Sequence, residues 1–175
     1  MVKLRNIKAK LLNSNAVEFE FLRSIVSSQA ASWIDMLLSF GLFALLDITP
    51  WLATLCGAAA GGVTNCIINY KFTFHAGDCP WKAVAVKYVL VWVGSVVFNA
   101  LGTELLYRLL AQVDWLASLG VSADGIFAAV RLFVSLVVSL AWNFLLQRNF
   151  VYRPSKFDPT AIAIVNMLIP SYHKK

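Results

Sequence analysis

Charge is what this chain has least of. Charged residues make up 14% of its 175 residues, against about 25% in soluble domains, which excludes a water-exposed globule of ordinary composition. Histidine is scarce: His75 and His173 are far apart and have no ligand-like companions. The three cysteines, Cys56, Cys66 and Cys79, form no CxxC pair, and the first two lie inside an apolar run. No metal centre and no disulfide framework is expected, and the cysteines read as small core residues. There is no GxSxG, no HExxH, no phosphate-binding loop and no pair of carboxylates on one helical face. The chain is therefore expected not to be an enzyme and to use no cofactor.

What it has in abundance is apolar sequence. Hydrophobic residues reach 59%, and the mean hydropathy is +0.71. A helix needs about 20 apolar residues to cross the hydrocarbon of a bilayer. Four stretches qualify, roughly 22–46, 51–70, 83–108 and 125–147. This predicts an all-α, integral membrane four-helix bundle with its transmembrane domain at 21–153. Residues 1–20 carry Lys3, Arg5, Lys8 and Lys10, which suits a basic interfacial or disordered segment. They lack the small-residue cleavage site of a signal peptide. Residues 154–175 read as a tail, whose apolar piece AIAIVNMLI is too short to cross.

The net charge of +6 raises the question of nucleic acid, but basic residues beside hydrophobic spans are the usual mark of membrane orientation. Thirteen of the 15 Lys and Arg fall in the N-terminal segment through Arg23, in 71–87, or from Arg148 onward, leaving Arg108 and Arg131. The opposite connections carry Asp47, Asp114 and Asp124. The positive-inside rule then places both termini and the middle loop in the cytoplasm.

The chain also repeats itself. Residues 65–75, NCIINYKFTFH, recur as 143–153, NFLLQRNFVYR, at an offset of 78. Asn65 matches Asn143, Asn69 matches Gln147, Phe72 matches Phe150, and Phe74 matches Tyr152. Each copy closes an apolar span. At an offset of 64, Arg23 matches Lys87 and Asp35 matches Asn99. Two hairpins in the same orientation are implied, a parallel repeat. The small-residue run GAAAGG at 57–62 lets helix backbones approach closely. It is expected to pack on another helix and to serve a homo-oligomer, since four spans are a thin wall around any path.

Polar residues inside the spans are the candidates for function, because a charge near the bilayer centre costs about 2.5–3.5 kcal/mol on insertion scales. Asp35 lies some 12 residues past Arg23, about 18 Å into the span, and Asn99 sits at the matching depth. With Arg131, Glu104, Asn65 and Asn143 they outline a polar track suited to a polar head group. Arg131, Arg23, Lys71 and Arg148 have the charge to meet a phosphate. Asn65, Asn69, Asn143, Gln147 and Asp35 have the chemistry to hydrogen-bond sugar hydroxyls. A structural reading stands beside this one: Glu104 and Arg131 pair, the asparagines stitch helices together, and the basic residues snorkel. Trp33, Trp51, Trp81 and Trp142 read as interface or packing residues.

The doubled asparagine–aromatic motif at the ends of the second and fourth spans, with Arg23 and Lys87 opening the odd-numbered ones, resembles the GtrA-like family of small bacterial membrane proteins over roughly residues 20–153. Cys66, Tyr70 and Gln147 depart from its pattern, so more weight falls on the second copy. The resemblance implies a flippase for a polyprenyl-phosphate-linked monosaccharide in the bacterial cytoplasmic membrane. The sugar would be loaded by a membrane glycosyltransferase and used in cell-surface polysaccharide synthesis. Two other readings remain open: a non-transporting scaffold for such a glycosyltransferase, and a small multidrug transporter-like exchanger with Asp35 as proton carrier.

Overall fold

The structure, a computed structural model, describes residues 14, 16–46, 48–112 and 122–169, without the side chains of residues 50, 51, 111, 123 and 124. Asp47, Asp114, most of the basic N-terminal segment and the side chains of Trp51 and Asp124 lie outside the described residues.

Among the described residues five α-helices follow one another: α1 Val17–Leu46, α2 Pro50–Ile68, α3 Trp81–Ala111, α4 Ala123–Val137 and α5 Asp158–Leu168. No strand occurs among the described residues. Local sequence explains the starts. α1 opens with Glu18 and Glu20 in its first turn, where acids complement the helix dipole. Pro50 stands at the start of α2, where its missing N–H is not needed. Ser122 caps α4, its Oγ accepting from Gly125 N at 3.2 Å. Among the described residues four helical stretches are long and apolar enough to cross a membrane: Val17–Leu46, Leu52–Thr73, Trp81–Leu110 and Gly125–Val151. They coincide with the expected spans but run further. Their surfaces carry Leu37, Phe40, Leu101 and Leu132 among many exposed large apolar side chains, which suits acyl chains and not water. This is a multi-pass membrane protein.

The even-numbered spans outlast α2 and α4 because each continues as a π-helix, whose bonds run from residue i to i+5. α2 passes into the π turn Asn69–Thr73. α4 passes into Val138–Phe144 and then Gln147–Val151. The turns Asn69–Thr73 and Gln147–Val151 occupy the same positions in the two motif copies. The sequence reading ended these spans near 70 and 147, within the first residues of both turns.

The chain forms two compact units, Met1–Cys79 and Pro80–Lys175. In the first, α1 and α2 pack along each other. A Cβ on Gly57 would stand 2.6 Å from the Asp35 carbonyl oxygen, and one on Gly61 2.9 Å from that of Ala31. The small-residue run therefore does pack on another helix, and it is α1 of the same hairpin. Gly57 and Gly61 are already covered before any second copy approaches.

In the second unit, Val130, Val134 and Val138 form a buried row at i, i+4 spacing, against Leu106, Tyr107 and Leu110 of α3. Trp142 extends the row by one more turn. Its ring lies where Gly94 leaves room, since a Cβ there would meet Trp142 Cζ2 at 2.5 Å. Its Nε1 donates to the Val91 carbonyl at 2.9 Å, and Phe98 meets it edge-on at 4.6 Å. Trp142 is thus a packing residue, as expected. α5 lies against α3 in this unit.

Candidate functional site

Each unit ties the start of its first helix to the chain at the end of its second span, at the π turn in the first unit and just past it in the second. In the first unit, Arg23 is buried, and its Nε and Nη2 donate to the Thr73 carbonyl at 3.1 and 2.7 Å. Glu20, one turn earlier and fully buried, lies within electrostatic reach of the guanidinium. In the second unit, Lys87 is fully buried, and its Nζ donates to the Arg153 carbonyl and to Asp158 Oδ1, both at 2.8 Å. The Phe150 ring covers it, with its centroid 5.5 Å away. The last carbonyls of a helix lack partners within the helix, so the Arg23 cation is well placed at Thr73. Lys87 makes a similar clasp, but on a carbonyl two residues past its π turn. The two clasps also differ in the source of the acid, which is the same helix in one case and the tail in the other.

Asp158 is further held by Ser155, whose N donates to Oδ2 at 3.1 Å and whose Oγ donates to Oδ1 at 2.7 Å. Burial pushes its pKa up, but the hydrogen bonds from Lys87 and Ser155 and the Lys87 charge outweigh that. The carboxyl is held below its ordinary value.

The π turn sets which motif residues point inward. Its wider turn brings residues four and five apart to one side. In the first copy Asn69, Thr73 and Phe74 are buried, and in the second Gln147, Val151 and Tyr152 are buried at the matching positions. The chain leaves the two turns differently. His75 adopts a left-handed conformation with φ 48°, and Ala76 N returns to the Tyr70 carbonyl at 2.9 Å. Its counterpart Arg153 precedes Pro154, which disfavours helical backbone at the residue before it.

Beneath the clasp of the first unit, Ser27 Oγ lies 2.5 Å from Asn69 Oδ1 and 3.1 Å from Asn65 Oδ1. Asn69 Nδ2 donates to Asn65 Oδ1 at 3.2 Å. In the second unit the polar contacts sit one turn deeper. Asn143 Nδ2 donates to Ser95 Oγ at 3.0 Å, Asn99 Nδ2 to the Ser95 carbonyl at 2.9 Å, and Ser135 Oγ to Asn99 Oδ1 at 3.0 Å. The asparagines Asn65, Asn69, Asn99 and Asn143 thus bind neighbouring side chains and backbone within their units.

The charged candidates are placed less uniformly. Asp35 is half-buried and accepts from Ser39 Oγ at 3.1 Å. Lys71 is exposed, and Arg148 is half-buried. Glu104 pairs with Arg108 on its own helix at 2.5 Å, so the reading that gave it to Arg131 is corrected: a partner at i+4 was nearer at hand. Arg131 is exposed on a spanning helix and makes no ion pair among the described residues. No cluster of metal-ligating side chains occurs among them either.

Sequence reasoning missed Ser27, Ser95, Ser135 and Asp158. Ser27 and Ser95 stand four residues from Arg23 and Asn99, on the same helical face, and that spacing was the available signal. Asp158 offered none, because its partner Lys87 is 71 residues away.

The fold and site define a multi-pass helical membrane protein built on two clasped hairpins. The chain belongs to the GtrA/DPMS family: the model of the GtrA/DPMS transmembrane domain matches residues 25–152. That membership connects it with the handling of lipid-linked sugars in membranes. No curated protein and no solved structure matches the chain.

Proposed function

We propose that this protein translocates a polyprenyl-phosphate-linked monosaccharide across the bacterial cytoplasmic membrane. The observation that carries the reading is Arg131, an exposed cation on a spanning helix with no ion-pair partner among the described residues. A cation at membrane depth marks a pathway or a counter-ion site. A lipid phosphate would balance it and fits the family's chemistry. In this reading both termini and the 71–87 connection face the cytoplasm, where Lys71 and Arg148 meet the incoming phosphate. Asp35, half-buried and accepting from Ser39 Oγ, keeps acceptor capacity for sugar hydroxyls. Asn65, Asn69, Asn99, Asn143 and Gln147 shape the polar surface by fixing the helices that carry it. Arg23 serves by closing the first hairpin, since its guanidinium is engaged by Thr73.

The same observation favours a second reading, in which a carboxylate of a membrane glycosyltransferase balances Arg131 and the protein acts as a scaffold. Purified protein in vesicles separates the two. With a short-chain polyprenyl-phosphate hexose loaded on one leaflet, the wild type is expected to deliver it to the other. Arg131→Ala is expected to slow delivery at least about tenfold, equivalent to about 1.4 kcal/mol, and Asp35→Asn to reduce it. Folded wild-type protein that moves none of several such lipids, yet co-purifies with a glycosyltransferase, would establish the scaffold.

A further inference from the structure

The tail contains a helix that the cargo reading does not use. α5 has 11 residues, about 16 Å of helix, too short to cross about 30 Å of hydrocarbon. Both its ends are fastened to the opening turns of α3. Asp158 holds Lys87, and Asn166 Oδ1 accepts from Lys82 Nζ at 2.6 Å. α3 is a spanning helix that begins at Trp81, which is 64% exposed and suits the head-group level where tryptophan concentrates. α5 is therefore fixed beside the end of a membrane span.

Its surface there is apolar. Ala161 faces inward and is fully buried, while Met167, Leu168 and Ile169 are 82%, 75% and 68% exposed, and Ile164 adds to them. Its charge has one sign. From Arg153 to the end of the sequence Asp158 is the only acid, and Lys87 neutralises it. The other charges of the tail include Lys156, Lys174 and Lys175, with Lys82 alongside.

From these juxtaposed features we infer that α5 is a surface anchor. Its Ile164/Met167/Leu168 face lies in the head-group layer beside the start of α3, held there by anionic lipid. A helix with an apolar face and surrounding basic residues binds an interface in this way, and each basic residue near an anionic surface adds to the attraction. A protein partner of ordinary charge would account for the apolar face but not for the loss of the tail's single acid to an internal pair.

The test uses the full chain labelled with 13C-methyl methionine, in nanodiscs of phosphatidylcholine alone or mixed with phosphatidylglycerol. The Met167 signal is assigned by its disappearance in Met167→Leu. A gadolinium-carrying lipid is expected to broaden it strongly, and a soluble gadolinium chelate to broaden it several-fold less than free methionine in the same sample. This shielding is expected to be greater with phosphatidylglycerol and to weaken with added salt. Broadening by the soluble chelate equal to that of free methionine would overturn the anchor. So would protection from both reagents, which would mean that protein covers the face. Shielding equal in the two lipids and indifferent to salt would overturn the role of anionic lipid.

Discussion

Gly57 shows how little room a single residue leaves between α1 and α2. An added Cβ would meet the Asp35 carbonyl, which belongs to helix backbone and cannot swing aside, as well as the Ser39 side chain, which can. Gly57→Leu is expected to cost about 1–3 kcal/mol through overpacking. Gly41→Ala, where nothing lies within 4 Å, is expected to be neutral or slightly stabilising, because alanine suits a helix better. Thermal unfolding in detergent compares the two. The Asp158 carboxyl supplies a second prediction. Its folded pKa lies below the unfolded value of about 3.9. Its contribution is therefore fully present above that value and is lost as the pH falls through the folded one. Hydrogen exchange over α5 should be steady from pH 8 to 5, after correction for the intrinsic rate, and should rise below about pH 4. In Asp158→Asn, that acid-dependent rise should be absent.

Among the elements, the π turns are the ones that sequence reading passed over. Asn69–Thr73 carries no local mark distinguishing a bond to i+5 from a bond to i+4, since the same residue types serve either. What was legible was the doubled motif, and with it the ends of both even-numbered spans. The turn geometry became visible only through what it does: Phe74 and Tyr152 are buried at matched positions. Deleting Lys71, an exposed residue of the turn, should let the turn relax to an ordinary α-helix that keeps Phe74 on the buried side, because Thr73 and Phe74 then stand three and four residues from Asn69. The expected outcome is unchanged helix content by circular dichroism, an unfolding temperature close to that of the wild type and exchange at Thr73 and Phe74 that stays slow. A large fall in the melting temperature with fast exchange at both would count against the register argument. The clasps were half legible in the same way. The offset of 64 singled out Arg23 and Lys87 as equivalent. However, the acceptors Thr73 and Arg153 are backbone carbonyls, which no side-chain pattern reports.

For the molecule as a whole, hydropathy was enough to locate the four spans, because burial in lipid demands long apolar runs whatever the packing. The path for cargo was less legible, since the same asparagines suit both sugar hydroxyls and helix contacts. Orientation rests on the distribution of basic residues and can be checked directly. With native cysteines replaced, Asp78→Cys and Lys156→Cys are expected to react with an impermeant thiol reagent from the cytoplasmic face. Gln112→Cys is expected to react only from the opposite one. Labelling of all three from one face would overturn the topology.

The unequal sources of the two clasp acids have a consequence for how the protein is made. Glu20, Arg23 and Thr73 all leave the ribosome within the first hairpin, so that hairpin can be closed while the rest is still being translated. Lys87 is inserted early but must wait 71 residues for Asp158. Until then its amine lacks the acid that neutralises it in the complete fold. The second hairpin therefore stays open to membrane quality control until the last segment docks, and a chain terminated before Asp158 would display the fault that such surveillance removes.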